Sequence, residues 1–361
     1  MDDLPDDTLG DVLRRLPPCW LAVSRYPFDE VGDGLDEDYF VRDHCNGLLL
    51  ASLYVVNPAT RRWDLLPRRC PADPERVTFW SNDYLAFDPA VSSHFQVLSI
   101  PYLRPSTHIQ LDPLVEKSEW PPSTYILDVF LSKSDRWEER PFVREGDVAG
   151  IVAEARQDHP YGWSSAKRGA AYWPQALYVH CQPNAVKRIS LSDDKYRVIK
   201  LPTDKETMAY LGRSKKGVYY ASFVKDLFRV WILDESYGQM KWMMKGEYDL
   251  TRVRASDQRV HGPGVLQDIN YEFFRSQLPE VKKKAIVQEK TEWDSDNDGV
   301  DNIIDMAEER SHGCDVLGFH PFKEIMFLSS FTKETWEATV HAYHLNSSRV
   351  ECFRQHAPSM L

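Results

Sequence analysis

The chain has 361 residues, 42% of them hydrophobic and 12% aromatic, which is enough apolar side chain for one large domain or two ordinary ones with a buried core. Against 44 Lys plus Arg stand 55 Asp plus Glu, a formal net charge of −11, so a generic phosphate-binding surface is disfavoured and nucleic acid is not an expected partner. The opening MDD lacks a basic n-region with an apolar core, and no run approaches the roughly 18 apolar residues of a membrane span, so the expected location is cytoplasm or nucleus, away from membranes.

The first element is "LPDDTLGDVLRRLP", Leu4 to Pro17. Leu9, Val12, Leu13 and Leu16 fall at i, i+3, i+4 and i+7 and form one stripe of a 3.6-period helix. Asp6 and Asp7 in the first turn and Arg14 and Arg15 in the last complement the macrodipole, while Pro5 precedes the helix and Pro17 and Pro18 stop it. A second short helix is expected near Trp20 to Arg25. An acidic linker containing Asp29, Glu30, Asp33, Asp36, Glu37 and Asp38 follows, giving an N-terminal helical segment and linker over 1–43.

From His44 the pattern becomes short apolar runs of period 2, rich in Val, Ile, Tyr, Phe and Trp and broken by Pro, Asn, Asp, Ser and Gly. One unit recurs: strand, polar turn, strand. It appears as "YVVNPATRRWDLLP", "LAFDPAVSSHFQVLSIP", "VFLSKSDRWEERP", "RISLSDDKYRVIKLP", "VWILDESYGQMKWMM" and "AYHLNSSRVECF". With Asn57, Asp88, Ser134, Asp193, Asp234 and Asn346 as turn markers, the intervals are 31, 46, 59, 41 and 112 residues, mostly near the period of propeller blades. A hairpin alone cannot bury its apolar face, whereas stacked four-stranded units can. The expected fold is mainly β: a divergent propeller-like domain of about five to seven blades of repeated hairpins over 44–361, with a two-sheet arrangement as the alternative. Trp63, Trp137, Trp231 and Trp242 recur at hairpin positions and are expected as core between blades. A charged insertion occupies about 250–313.

Within that insertion "DSDNDGVDNIID" places Asp294, Asp296, Asp298, Gly299 and Asp305 at positions 1, 3, 5, 6 and 12 of an EF-hand loop. Position 12 is Asp rather than the longer bidentate Glu, position 8 is the charged Asp301, and no second such loop exists, so a solvated acidic loop is the preferred reading and calcium the lesser one. No cofactor is expected. The six cysteines lie far apart without a CxxC pair and read as reduced, mostly buried thiols. No GxSxG, HExxH, P-loop or GxGxxG motif occurs, and no catalytic residue is nominated.

"LPDDTLGDVLRRLP" resembles the first helix of an F-box. "HCNGLLL" at His44, "YVVNPATRRWDLLP" at Tyr54 and "YLAFDPAVSSHFQVLSI" at Tyr84 resemble the associated β region of plant F-box proteins, particularly the large grass families. The resemblance implies a non-catalytic, substrate-recruiting subunit of a ubiquitin ligase of the Skp1, cullin and F-box type. On the matching positions, Leu4, Pro5, Leu9, Val12, Leu13, Leu16 and Pro17 would face a Skp1-like protein, and through it a cullin, while the β domain would hold an unidentified target protein. The chain departs from the family after Arg25, where further helix is replaced by the acidic linker, so the F-box is truncated. Each large side chain missing from that interface removes roughly 1.5 to 3 kcal/mol of burial. The alternative reading is a propeller-type protein-binding module uncoupled from the ligase.

Overall fold

A computed structural model of the chain describes residues 41–51, 53–60, 62–69, 79–103, 110–157, 169–203, 208–224, 227–250, 311–332 and 338–354. The described residues are mainly β. Strands β1 (Val41–Cys45), β2 (Leu48–Ala51), β3 (Tyr54–Asn57) and β4 (Arg62–Leu65) form an antiparallel meander in sequence order. β5 (Phe79–Ala86), β6 (Gln96–Leu103), β8 (Thr124–Leu131) and β9 (Arg136–Arg144) form a second, and β11 (Ala170–Trp173), β12 (Ala176–Cys181), β13 (Ala185–Ser190) and β14 (Lys195–Lys200) a third. The fourth is β15 (Met208–Ser214), β16 (Gly217–Val224), β17 (Leu227–Asp234) and β18 (Lys241–Asp249); the fifth is β19 (Ser311–Phe319), β20 (Ile325–Thr332), β21 (Ala338–His344) and β22 (Val350–Arg354).

All six recurring segments of the sequence are hairpins. Five close a meander as its third and fourth strands, whereas "LAFDPAVSSHFQVLSIP" opens one as β5–β6. Asp88 and Ser134 therefore mark two turns of the same meander, which explains the short first interval. Additional elements lengthen the next two intervals: α1 (Pro113–Glu116) and β7 (Glu119–Trp120) precede β8, and β10 (Gly150–Ile151) and α2 (Val152–Gln157) follow β9. Asp112 caps α1, its Oδ1 accepting from Leu114 N at 2.7 Å. The buried Arg156 of α2 bonds Glu116 of α1, and β7 pairs with β10, so these pieces form one small layer.

The polar turns explain themselves locally. Asn46 and Gly47, with φ of 46° and 89°, supply the two left-handed residues of a tight β1–β2 hairpin, the geometry that Asn-Gly favours. Leu131 C=O accepts from Ser134 N and Asp135 N, and His344 C=O accepts from Ser348 N. Asp135, Asp194 and Ser348 close their loops with φ of 54° to 55°, so one turn geometry recurs in the β8–β9, β13–β14 and β21–β22 hairpins.

The second and third meanders are not separate sheets. β14 and β9 pair in parallel at Lys195↔Val143 and Tyr196↔Arg144, joining eight strands into one nearly closed, barrel-like sheet. Val143 N donates to Asp194 C=O and Glu145 N to Tyr196 C=O, while Glu145 pairs with both Lys195 and Arg197 across the seam. Leu85, Phe95, Val97 and Phe130 on one face of this sheet share a core with Cys45, Leu48, Leu50 and Val55 of the first meander.

The chain divides into two compact units, with boundaries inside β11 and after Leu201. β1–β10 and β12–β14 lie in the first unit; β15–β22 form the second around Tyr219, Phe228, Val230, Tyr248, Met326, Leu328 and Tyr343. Trp231 is buried in its sheet and Trp137 packs at the first unit's core. Trp63, expected in the core, is 42% exposed because β4 is the outermost strand of its sheet. No helix among the described residues is long and apolar enough to cross a membrane.

Candidate functional site

Leu4, Pro5, Leu9, Val12, Leu13, Leu16 and Pro17 lie outside the described residues, and so do Asp294, Asp296, Asp298, Gly299 and Asp305 of the acidic insertion. Among the described residues there is no group of three or more His, Cys, Asp or Glu that could hold a metal ion. Cys45 and Cys181 are buried and reduced.

Among the described residues, a cluster of titratable groups lies in the barrel-like sheet. Alternation along β13 turns Ala185, Lys187 and Ile189 to one face, and register sets Lys187 between Val179 of β12 and Val198 of β14. Lys187 is 1% exposed, and its Nζ sits 3.9 Å from the centroid of the Tyr125 ring. Burial lowers its pKa to about 8, opposed only by the nearby Cys181 thiol. Tyr125 is itself boxed in by Tyr196 and, edge-on, by Trp120.

The phenols around the lysine are committed elsewhere. Tyr125 OH donates to Pro101 C=O at 2.6 Å, Tyr196 OH to Pro122 C=O, and Tyr84 and Tyr102 share a hydroxyl hydrogen bond. Burial raises the Tyr102 and Tyr125 pKa values well above the ordinary phenol range. Gln182 ties the sheet's two halves, accepting from Leu103 N at 2.9 Å and donating to Leu103 C=O at 3.2 Å. The buried amine is held against a ring face, beside the Cys181 thiol, in the interior of the sheet.

A second polar joint fastens the first meander to the free edge of β5. Asp43 Oδ2 accepts from Leu85 N at 2.7 Å, and Asn46 Nδ2 and Cys45 Sγ both donate to Phe87 C=O. Side chains of β1 thus satisfy backbone groups that an edge strand would leave open. Burial pushes the Asp43 carboxyl up to about 7, with hydrogen bonds from Leu85 and His44 opposing it. A carboxyl raised on folding stabilises least above its folded pKa, so this group's contribution is lost as pH rises from about 4 to about 7. The variant Asp43→Asn keeps an acceptor for Leu85 but leaves an unpaired N–H₂. It is expected to be about 1 kcal/mol less stable than the parent at pH 4.5 and about 1 to 2 kcal/mol more stable at pH 8. Urea unfolding at both pH values checks this change of sign.

In the second unit Glu324 is the hub. Its carboxylate is 8% exposed and accepts from Tyr219 OH at 3.0 Å, from Lys216 Nζ at 3.2 Å and from Lys245 Nζ. Lys245 also reaches Asn346 Oδ1 at 3.4 Å, so the β16 start, β18 and the β21–β22 turn meet at one acid. Lys187, Asp43 and Glu324 were not singled out by motif. Only the period-2 pattern of "AVKRIS" marks Lys187 as inward-facing.

Comparison with protein-family models and with curated proteins returns no match to this chain.

Proposed function

We propose that the chain is a non-catalytic substrate receptor of a Skp1, cullin and F-box ubiquitin ligase, with Leu4, Pro5, Leu9, Val12, Leu13, Leu16 and Pro17 facing a Skp1-like protein. Its β region, a propeller-like series of four-stranded meanders, holds the target, and transfer of ubiquitin becomes a matter of proximity. The observation that carries this reading is a succession in the chain. The amphipathic "LPDDTLGDVLRRLP" is followed by "HCNGLLL", "YVVNPATRRWDLLP" and "YLAFDPAVSSHFQVLSI", and these three fall on the β1–β2, β3–β4 and β5–β6 hairpins. Repeated meanders joined by short polar turns also suit a binding scaffold, since turns can vary without disturbing the sheets.

The test is co-purification of the full chain with a plant Skp1-like protein, beside a Leu13→Asp plus Leu16→Asp variant. Recovery with the parent and loss with the variant is expected; equal or absent recovery from both overturns the reading. The acidic stretch after Arg25 favours a second reading, a protein-binding module uncoupled from the ligase, and absent recovery would select it.

A further inference from the structure

The edge strands of the two units are treated differently. β18 carries an irregularity opposite Val230 and Trp231 that turns Lys245 inward to Glu324, a device that spoils an edge for pairing. β4 has no such defence. It is the outermost strand of its sheet, all four of its side chains are exposed, and Leu65 is 59% exposed beside the exposed indole of Trp63. Leu66 N donates to Leu53 C=O at 2.7 Å, which fixes the phase of the β3–β4 ladder. The Leu65↔Tyr54 pair is then the non-bonded kind, so the Leu65 N–H and C=O point away from β3 toward the open edge.

Charge says what fits there. In a chain of net charge −11, Arg61 precedes β4, Arg62 opens it and Arg68 and Arg69 follow it, with Asp64 the single acid among them. Neither Arg62 nor Arg68 pairs with a carboxylate among the described residues, and both are exposed. Arg69 is engaged with Asp83 and stacks on Trp137.

We infer that β4 is a docking edge for an extended, acidic segment of a partner protein, added as a fifth strand. Backbone groups of Leu65 register the incoming strand, two apolar residues spaced two apart lie beside Trp63 and Leu65, and acids outside them meet Arg62 and Arg68. Asp64 projects to the opposite face and excludes an acid from the middle position. This deepens the receptor reading by naming the form in which a target is held, and it rests on that reading only for the word target.

The experiment measures binding of a fluorescent synthetic peptide, two valines spaced by a threonine and flanked on each side by two glutamates, to the full chain with no Skp1-like protein present. Its outcome is thus independent of ligase assembly. The expected result is salt-sensitive binding that falls roughly tenfold in Leu65→Pro, which removes the outward N–H but no ladder bond. Loss is also expected in Arg62→Glu plus Arg68→Glu, with recovery when lysines replace the peptide's glutamates. The double charge variant carries the test should Leu65→Pro fail to fold by circular dichroism. Equal binding of acidic and basic peptides to the parent chain, or no binding, overturns the inference. So does a dimer of the chain that Leu65→Pro converts to monomer, because the edge then serves a second copy.

Discussion

Replacing Lys187 with methionine is expected to raise stability by about 3 kcal/mol at pH 7, an unusual direction for a substitution at a fully buried position. The lysine's pKa falls from 10.5 in the unfolded chain to about 8 in the folded one because burial disfavours the ammonium. Below pH 8 both states are protonated and the whole penalty is present. Between pH 8 and 10.5 the folded state has released its proton while the unfolded state still holds one, so the penalty fades, and above 10.5 it is gone. The ring of Tyr125 offsets part of the ammonium's desolvation but cannot replace water. Methionine has similar length and no charge, so it fills the same space between Val179 and Val198. Urea unfolding at pH 7 and again near pH 10 measures the effect. A stabilisation that shrinks with rising pH is the expected outcome, and a variant less stable than the parent at pH 7 would refute it. Lys187→Arg should behave oppositely, because a guanidinium cannot shed its proton.

The β architecture was legible because period-2 alternation and turn chemistry are local. "YVVNPATRRW" announces its hairpin through Asn57, whose Oδ1 accepts from Thr60 N at 3.2 Å. "LAFDPAV" does so through Asp88, whose Oδ1 accepts from Ala90 N at 3.0 Å. Equal hairpins look alike in sequence whether they open or close a meander, so the grouping of Asp88 with Ser134 was not legible. The same holds for the parallel seam between β9 and β14, two residue pairs set by ion pairs among Glu145, Lys195 and Arg197 rather than by an apolar pattern. The exposure of Trp63 is not legible in sequence for a related reason. Its strand alternates apolar Trp63 and Leu65 with charged Arg62 and Asp64, as a half-buried strand does, but position at the sheet's edge is a property of topology. Of the polar joints, Asp43 and Glu324 are single acids whose partners are distant in sequence, Leu85 lying 42 residues from Asp43 and Tyr219 105 residues from Glu324, beyond the reach of any spacing rule.

Glu324 shows what such a joint is worth. Burial alone would raise its pKa, yet hydrogen bonds from Lys245, Lys216, Asn346 and Tyr219 overcome that and hold it down to about 2. Glu324→Ala removes the anion and leaves two ammonium groups facing each other, one of them on the 17% exposed Lys245, together with the phenol of the buried Tyr219 deprived of its acceptor. Breaking a buried pair from one side is costly because the other charge stays behind, and the expected loss is about 3 kcal/mol at pH 7. Since the folded pKa lies below the unfolded value of 4.5, the carboxylate's contribution is complete above pH 4.5 and is lost as pH falls toward 2. The parent and Glu324→Ala unfolding curves should therefore converge in acid. Lys245→Met combined with Glu324→Leu, which replaces the main pair by apolar groups, should recover most of the loss, because the second unit's core of Tyr219, Phe228, Tyr248 and Tyr343 stays packed around it. Failure of that double variant to exceed Glu324→Ala in thermal unfolding would show that the hub holds the strands in place through geometry that apolar packing cannot supply.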